Sequence, residues 1–280
     1  MSGQTAEVIN DTLKHAEHGS SSSDWIMHHI LDGNYLDFTP FGKIYLPHLE
    51  IFGLDISITR HVVFLWIVTI VLFFVFLRIS KKYKKSSIPK GIVNFFEVMV
   101  IFVRDEIAAP TIGKGYERFL PYLLSAFFFI LFSNFIGLIP FTATITSNIS
   151  ITAVLAIFSF FVIQIGGIRK NGFFGYFKGL IPHGVPGFIL PVMAIVELLG
   201  LLTKPFALAI RLFANMTAGH IVIYALLSLI FVMKTYYISP VSVGLALFIY
   251  FLEILVALLQ AYIFTMLSSL FIGMAVHQDH

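Results

Sequence analysis

A set of polar side chains stands inside otherwise apolar sequence near the carboxyl end of this chain: Glu197, Arg211, Asn215, His220, Glu253 and Gln260. The first four interrupt Ile189 to Val232, and the last two interrupt Val241 to Val276. An arginine with largely apolar sequence on both sides costs about 3 kcal/mol at a bilayer centre by insertion scales, which makes Arg211 a functional suspect. Guanidinium keeps its proton, so Arg211 is no relay member; it attracts a carboxylate, repels a proton or interrupts a water wire. A histidine and a carboxylate at one depth can pass a proton, since imidazole titrates near neutrality and desolvation raises a carboxyl. Polar groups on both sides of a fixed cation therefore read as two half-paths for an ion, divided by an electrostatic barrier. The structural alternative is a buried ion pair, Arg211 with Glu253 or Glu197, that only holds a bundle together. Lys204, beside Pro205, reads as a headgroup anchor.

Helical spacing supports the grouping. Arg211 and Asn215 are at i and i+4 and share a face. Glu197 precedes Arg211 by about four turns, or about 21 Å, and points in nearly the same direction. His220 lies about 13.5 Å beyond Arg211. Glu253 and Gln260 share a face on the second stretch. Counted from a turn centred near residue 237, His220 and Glu253 sit at almost equal distances along antiparallel helices, so the two can meet.

The elements that position these groups follow from composition. Of 280 residues 58% are hydrophobic and 12% charged, against roughly 25% charged in soluble domains. The chain reads as an integral membrane protein and, because lipid-exposed backbone must satisfy itself, as an all-α bundle. About five membrane helices are expected. His61 to Ile79 is the first span, and Arg78, Lys81, Lys82, Lys84, Lys85 and Lys90 follow it with no acid among them. That cluster marks a cytoplasmic loop and puts the amino terminus outside. It reads as a topology signal or lipid contact rather than a nucleic-acid site.

Gly91 to Val103 is too short to span comfortably and is expected to be an interfacial or re-entrant helix on the cytoplasmic side, ended by Arg104, Asp105 and Glu106. Phe119 to Pro140, carrying Ser133 and Asn134, crosses outward; Ile149 to Ile168 returns, with Arg169, Lys170 and Lys178 beyond it. The prolines and glycines of HGVPG separate this from the first long stretch. At about 66 Å and about 54 Å as helices, the two long stretches exceed a hydrocarbon core of about 30 Å. With Tyr236, Tyr237, Ser239 and Pro240 as the turn, they are expected to form a strongly tilted hairpin over residues 188–276, kinked but not ended at Pro205.

Residues 1–60 read as an extracytoplasmic region and 61–280 as the membrane domain. Ser20 to Ser23 reads as a flexible joint, Asp24 as the cap of a short helix, and YLDFTPFGKIYLPHLEIFGLDISI as short strands or turns. His15, His18, His28 and His29 lack the partners of a metal site and read as solvated tail histidines. No basic stretch followed by an apolar run opens the sequence, so no cleavable signal peptide is expected. No cysteine is present, which excludes disulfides and thiolate metal sites. Phosphate-loop, dinucleotide and zinc-protease motifs are absent, so no nucleotide site, cofactor or covalent chemistry is expected.

The stretches LLTKPFALAIRLFANMTAGH, Leu201 to His220, and LEILVALLQAYIFTMLSSLF, Leu252 to Phe271, resemble the signature helices of subunit a of the F-type ATP synthase. The order of segments fits that family from about residue 60 onward. The resemblance implies a membrane stator beside the rotating c-ring, with the peripheral-stalk subunit b, other synthase subunits and the lipid bilayer as partners. Arg211 is then the obligatory arginine facing the ring carboxylate. Asn215, His220, Glu253 and Gln260 line the half-channel through which protons enter during synthesis, and Glu197 belongs to the cytoplasmic one. Many bacterial members carry the acid at the position of His220 and the histidine at that of Glu253; here the two are exchanged, as in mitochondrial members. The long leader suggests a bacterial plasma membrane, with the carboxyl terminus cytoplasmic. The competing expectations are a self-contained secondary transporter, which would show repeated halves around a midplane site, and a membrane scaffold held by buried ion pairs.

Overall fold

The computed structural model describes residues 35–37, 43–45, 47, 50–51, 54–55, 57–83, 91–139, 142, 144–179, 190–233, 237 and 239–277. The serine joint, the helix at Asp24, the early histidines, HGVPG and most of the expected turn before Ser239 lie outside them.

Two small antiparallel hairpins precede the first helix. Strands β1 (Tyr35–Asp37) and β2 (Lys43–Tyr45) pair with Asp37 opposite Lys43, and β3 (Glu50–Ile51) and β4 (Leu54–Asp55) pair with Glu50 opposite Asp55. The Gly- and Pro-punctuated alternation noted in the sequence thus resolves into strands of two or three residues. The described elements that follow are all helices. Helix α1 is Arg60–Tyr83 and ends on Lys81 and Lys82, which complement its carboxyl-terminal dipole.

Helix α2 (Ile92–Phe102) runs on without a break through a π-helical turn, Val103–Ala108, into α3 (Ala109–Ile112). The sequence expectation that Arg104, Asp105 and Glu106 end the helix is therefore corrected. Those charges stay out of the core while Val103, Ile107 and Ala108 are buried, so charge changes the exposed face without breaking the hydrogen-bond ladder. Arg104 grips Asp105 through two hydrogen bonds, 2.7 and 2.9 Å, and the bonded guanidinium holds the Asp105 carboxyl below its ordinary range.

Helix α4 is Leu120–Gly137, and α5 is Ile149–Asn171, capped at its start by the Asn148 side chain accepting from the Ser150 N–H at 2.9 Å. Such a cap contributes about 1 kcal/mol. A short α6 (Phe173–Gly179) follows, then α7 (Leu190–Met233, 44 residues) and α8 (Ser239–Val276, 38 residues). Pro205 lies inside α7 without ending it. Among the described residues five helices, α1, α4, α5, α7 and α8, are long and apolar enough to cross a membrane, and the protein is an all-α, multi-pass membrane protein. Along a straight normal α7 would measure about 66 Å, so a bilayer of about 30 Å requires the long helices to tilt or protrude.

The chain divides into two compact units. One joins the described residues up to Arg60 with Asn215–Leu255; the other comprises His61–Ala214 and Val256–His280. The second unit holds an aromatic core in which Phe76 of α1 meets Phe96 of α2 and Phe128 of α4, with ring centroids 5.9 and 5.0 Å away. Lipid tails are as apolar as these rings, so close packing rather than escape from water holds the helices together. Hydroxyls and small residues complete the contacts with α8. Thr111 meets Ser269 at 2.5 Å, Ser159 meets Ser268 at 3.1 Å, and Gly273 lies against the Thr111 carbonyl. The Asn171 amide donates to the Ala275 carbonyl at 3.0 Å, satisfying one of the orphan acceptors at the end of α8.

Candidate functional site

In the second unit Arg211 is half-buried on α7, between the buried Leu208 and Leu212 on one side and the exposed Ile210 on the other. The residue as a whole is not sealed in a core. Within its own unit, and among the described residues, Arg211 is not found in an ion pair with Glu197; the ion pairs that are found join Arg104 to Asp105 and His220 to Glu253. Earlier on α7 Glu197 is half-buried and lines a cavity of about 300 Å³ together with Gln164, Tyr176, Lys204 and His277. Lys204 is not at large in solvent: its Nζ stands 5.3 Å from the centroid of the Phe271 ring, a cation–π placement.

Gln260 of α8 belongs to the same unit and is buried. One turn before it, the Ala257 carbonyl accepts from the Asn134 amide of α4 at 3.4 Å, and the Asn134 oxygen accepts from the Thr146 hydroxyl at 2.6 Å. Asn134 and Thr146 are both wholly buried. Of the polar pair Ser133 and Asn134 within this span, it is Asn134 that ties α4 to the backbone of α8, while the buried Ser133 hydroxyl has no hydrogen-bond partner among the described residues.

The first unit holds His220 and Glu253. Their Nδ1 and Oε1 lie 3.7 Å apart, with side-chain exposures of 18% and 6%, so the contact foreseen by counting outward from the turn does form. Asn215 is exposed on α7. Both Glu253 carboxyl oxygens are buried with no hydrogen-bond partner among the described residues, and the Thr217 hydroxyl shares that condition. A buried polar atom that no protein group reaches is satisfied by water or by a proton it carries.

Two neighbours of this pair were missed by sequence reasoning. Gly219 leaves open the space that the Glu253 carboxyl fills; a Cβ there would overlap Oε1. Tyr224, one turn beyond His220, brings its ring centroid to 6.4 Å from the imidazole. The i, i+4 spacing would have found the tyrosine, whereas nothing local distinguishes Gly219 from other helical glycines.

The model of the ATP synthase A chain family matches residues 62–273. The chain belongs to the ATP synthase subunit a family. It is 56% identical over 258 residues to ATP synthase subunit a of Chloroherpeton thalassium, covering 91% of this chain and 77% of that one. ATP synthase subunit a 2 of Prosthecochloris aestuarii is 49% identical over 282 residues, covering 98% and 87%. ATP synthase subunit a of Chlorobium phaeobacteroides strain BS1 is 48% identical over 284 residues, covering 99% and 84%. As a member of the subunit a family the chain is a membrane component of the proton-transporting ATP synthase, and both long helices fall within the matched region apart from the last residues of α8.

Proposed function

We propose that this chain is the proton-translocating stator of its ATP synthase, supplying two aqueous half-channels that meet at Arg211 beside a ring of c subunits. The observation that carries it is the contact of His220 with Glu253, a buried acid without hydrogen-bond donors among the described residues, on the same two long helices that bear Arg211 and Gln260.

A proton enters by way of Asn215, His220, Glu253 and Gln260, the imidazole and carboxyl exchanging it through water. It neutralises a carboxylate on the ring, travels with the ring through lipid, and is released toward Glu197 after Arg211 draws the returning site into its ionised form. Arg211 cannot itself carry the proton, because guanidinium does not deprotonate. Its charge keeps protons from passing directly between the half-channels, and each charge crossing 100 mV carries about 2.3 kcal/mol, so a leak there dissipates the coupling. Subunit b and the remaining synthase subunits hold the stator against the ring's torque. The membrane is a bacterial plasma membrane, with the residues before α1 outside and the end of α8 in the cytoplasm; the lysines and arginines that follow α1 and α5 support this orientation.

Substitution of Arg211 by Lys in the assembled synthase tests the proposal. ATP-driven proton pumping into liposomes should fall to background, because an ammonium lacks the planar fork and can lose its proton. Pumping at the original rate would remove the barrier from the mechanism.

A further inference from the structure

The cavity that Glu197 lines is walled by groups for which the half-channels as described have no use. Gln164 comes from α5, Tyr176 from α6, Lys204 from α7 and His277 from the residue just past α8. At about 300 Å³ it has room for several waters, each of which takes about 30 Å³ in the liquid. The Gln164 side chain, whose Nε2 is buried, stands beside the Tyr176 hydroxyl. Lys204 is drawn to the wall by the Phe271 ring.

His277 differs from the other lining groups in two ways. It is exposed to solvent while also lining the cavity, so the residue belongs both to the cavity wall and to the outer surface. Its backbone N–H is fixed to the Gly273 carbonyl at 2.8 Å, which extends the helix by one residue, and its Nε2 lies 4.0 Å from where a Cβ on Gly113 would stand, next to Lys114 in the chain. The groups that face it across the cavity are Glu197 and Lys204 from α7 and Tyr176 from α6, with neutral Gln164 from α5. Carboxyl, ammonium and phenol groups ordinarily titrate several units from neutrality; imidazole does not.

We infer that His277 is the proton-exchange group at the mouth of the half-channel that serves Glu197, transferring protons between cavity water and buffer in the bulk. This rests on the proposed function. In the release direction the O–H bond of protonated Glu197 breaks, cavity water relays the proton, and a new N–H bond forms on His277. The imidazolium then loses a proton to a buffer base, and Glu197 is again a carboxylate. In the opposite direction the advantage is one of rate. Capture of free protons at pH 7, even at a diffusion limit of about 10¹⁰ M⁻¹s⁻¹, supplies only about 10³ per second. An imidazole that exchanges with buffer draws on a far larger proton pool.

The test uses the whole synthase in liposomes, carrying His277→Ala or His277→Gln, with the compartment at the His277 end weakly buffered and imidazole added stepwise. Proton flux should fall several-fold in both variants and recover as imidazole is added, while the original enzyme ignores it. Equal flux in variant and original at every buffer level overturns the inference but leaves the half-channel mechanism standing. A loss that imidazole does not recover also overturns it, because the role is then structural. Failure of the original enzyme to pump at all removes the proposed function, and this inference with it.

Discussion

The Glu253 carboxyl occupies the space that any side chain at position 219 would fill, and this close approach lets an acid on α8 come to 3.7 Å from His220 on α7. A glycine at that position is a requirement of the site rather than of the backbone, since Gly219 has ordinary helical geometry. In the Gly219→Ala variant the new methyl displaces the carboxyl. Overpacking costs about 1–3 kcal/mol, which corresponds to roughly a 5- to 150-fold loss of the paired arrangement. Proton pumping should fall accordingly while the complex still assembles, as seen by co-purification of the other subunits. Undiminished pumping would show that the pair is dispensable. A coupled pair also makes a second, sharper demand. Replacing His220 by Glu together with Glu253 by His should leave more pumping activity than either single change, and equal losses in all three would argue for independent roles.

At the scale of elements, α8 is held by contacts that tolerate almost no added volume. Thr111 bridges the turn after the π-helical segment to Ser269, and Gly273 rests on the Thr111 carbonyl. A side chain atom on residue 219 meets a flexible carboxyl, whereas one on residue 273 meets backbone. The Gly273→Ala variant should therefore lose stability, by about 1–3 kcal/mol, instead of losing flux selectively. A lower midpoint of thermal unfolding in detergent, with proton flux per folded complex unchanged, is the expected pattern. An unchanged midpoint would mean that α3 and α8 can separate without cost. The π-helical turn at Val103–Ala108 belongs to the same scale: it carries a charged segment past the core without ending the helix, which a rule equating charge with helix termination misses.

For the whole molecule, the two long helices each contribute to both compact units, one containing Arg211 and Glu197, the other His220 and Glu253. Much of α7 and α8 presents bulky apolar side chains outward, including Phe206, Phe248 and Phe251, as a chain surrounded by lipid and partners requires. A self-contained transporter would complete an ion path by itself. The lone chain reconstituted in liposomes should accordingly show no solute uptake and only background proton flux, with coupled flux appearing when the rest of the synthase is restored. Solute accumulation by the lone chain would instead favour the transporter.

The sequence by itself determined the membrane class, the number of spans and the hairpin, because hydrocarbon excludes unsatisfied backbone and fixes element length through local composition. It also singled out Arg211, whose cost in lipid is written in its flanks, and it matched His220 with Glu253 because depth along two antiparallel helices is a matter of counting. The tertiary structure decided what counting cannot reach. The role of Gly219, the bond from Asn134 to the Ala257 carbonyl, and the enclosure of Glu197 with Gln164, Tyr176 and His277 join residues far apart in the chain. Such proximities depend on how helix faces are rotated and packed against one another, a choice made by the sum of many small side-chain contacts and not by any single stretch of sequence.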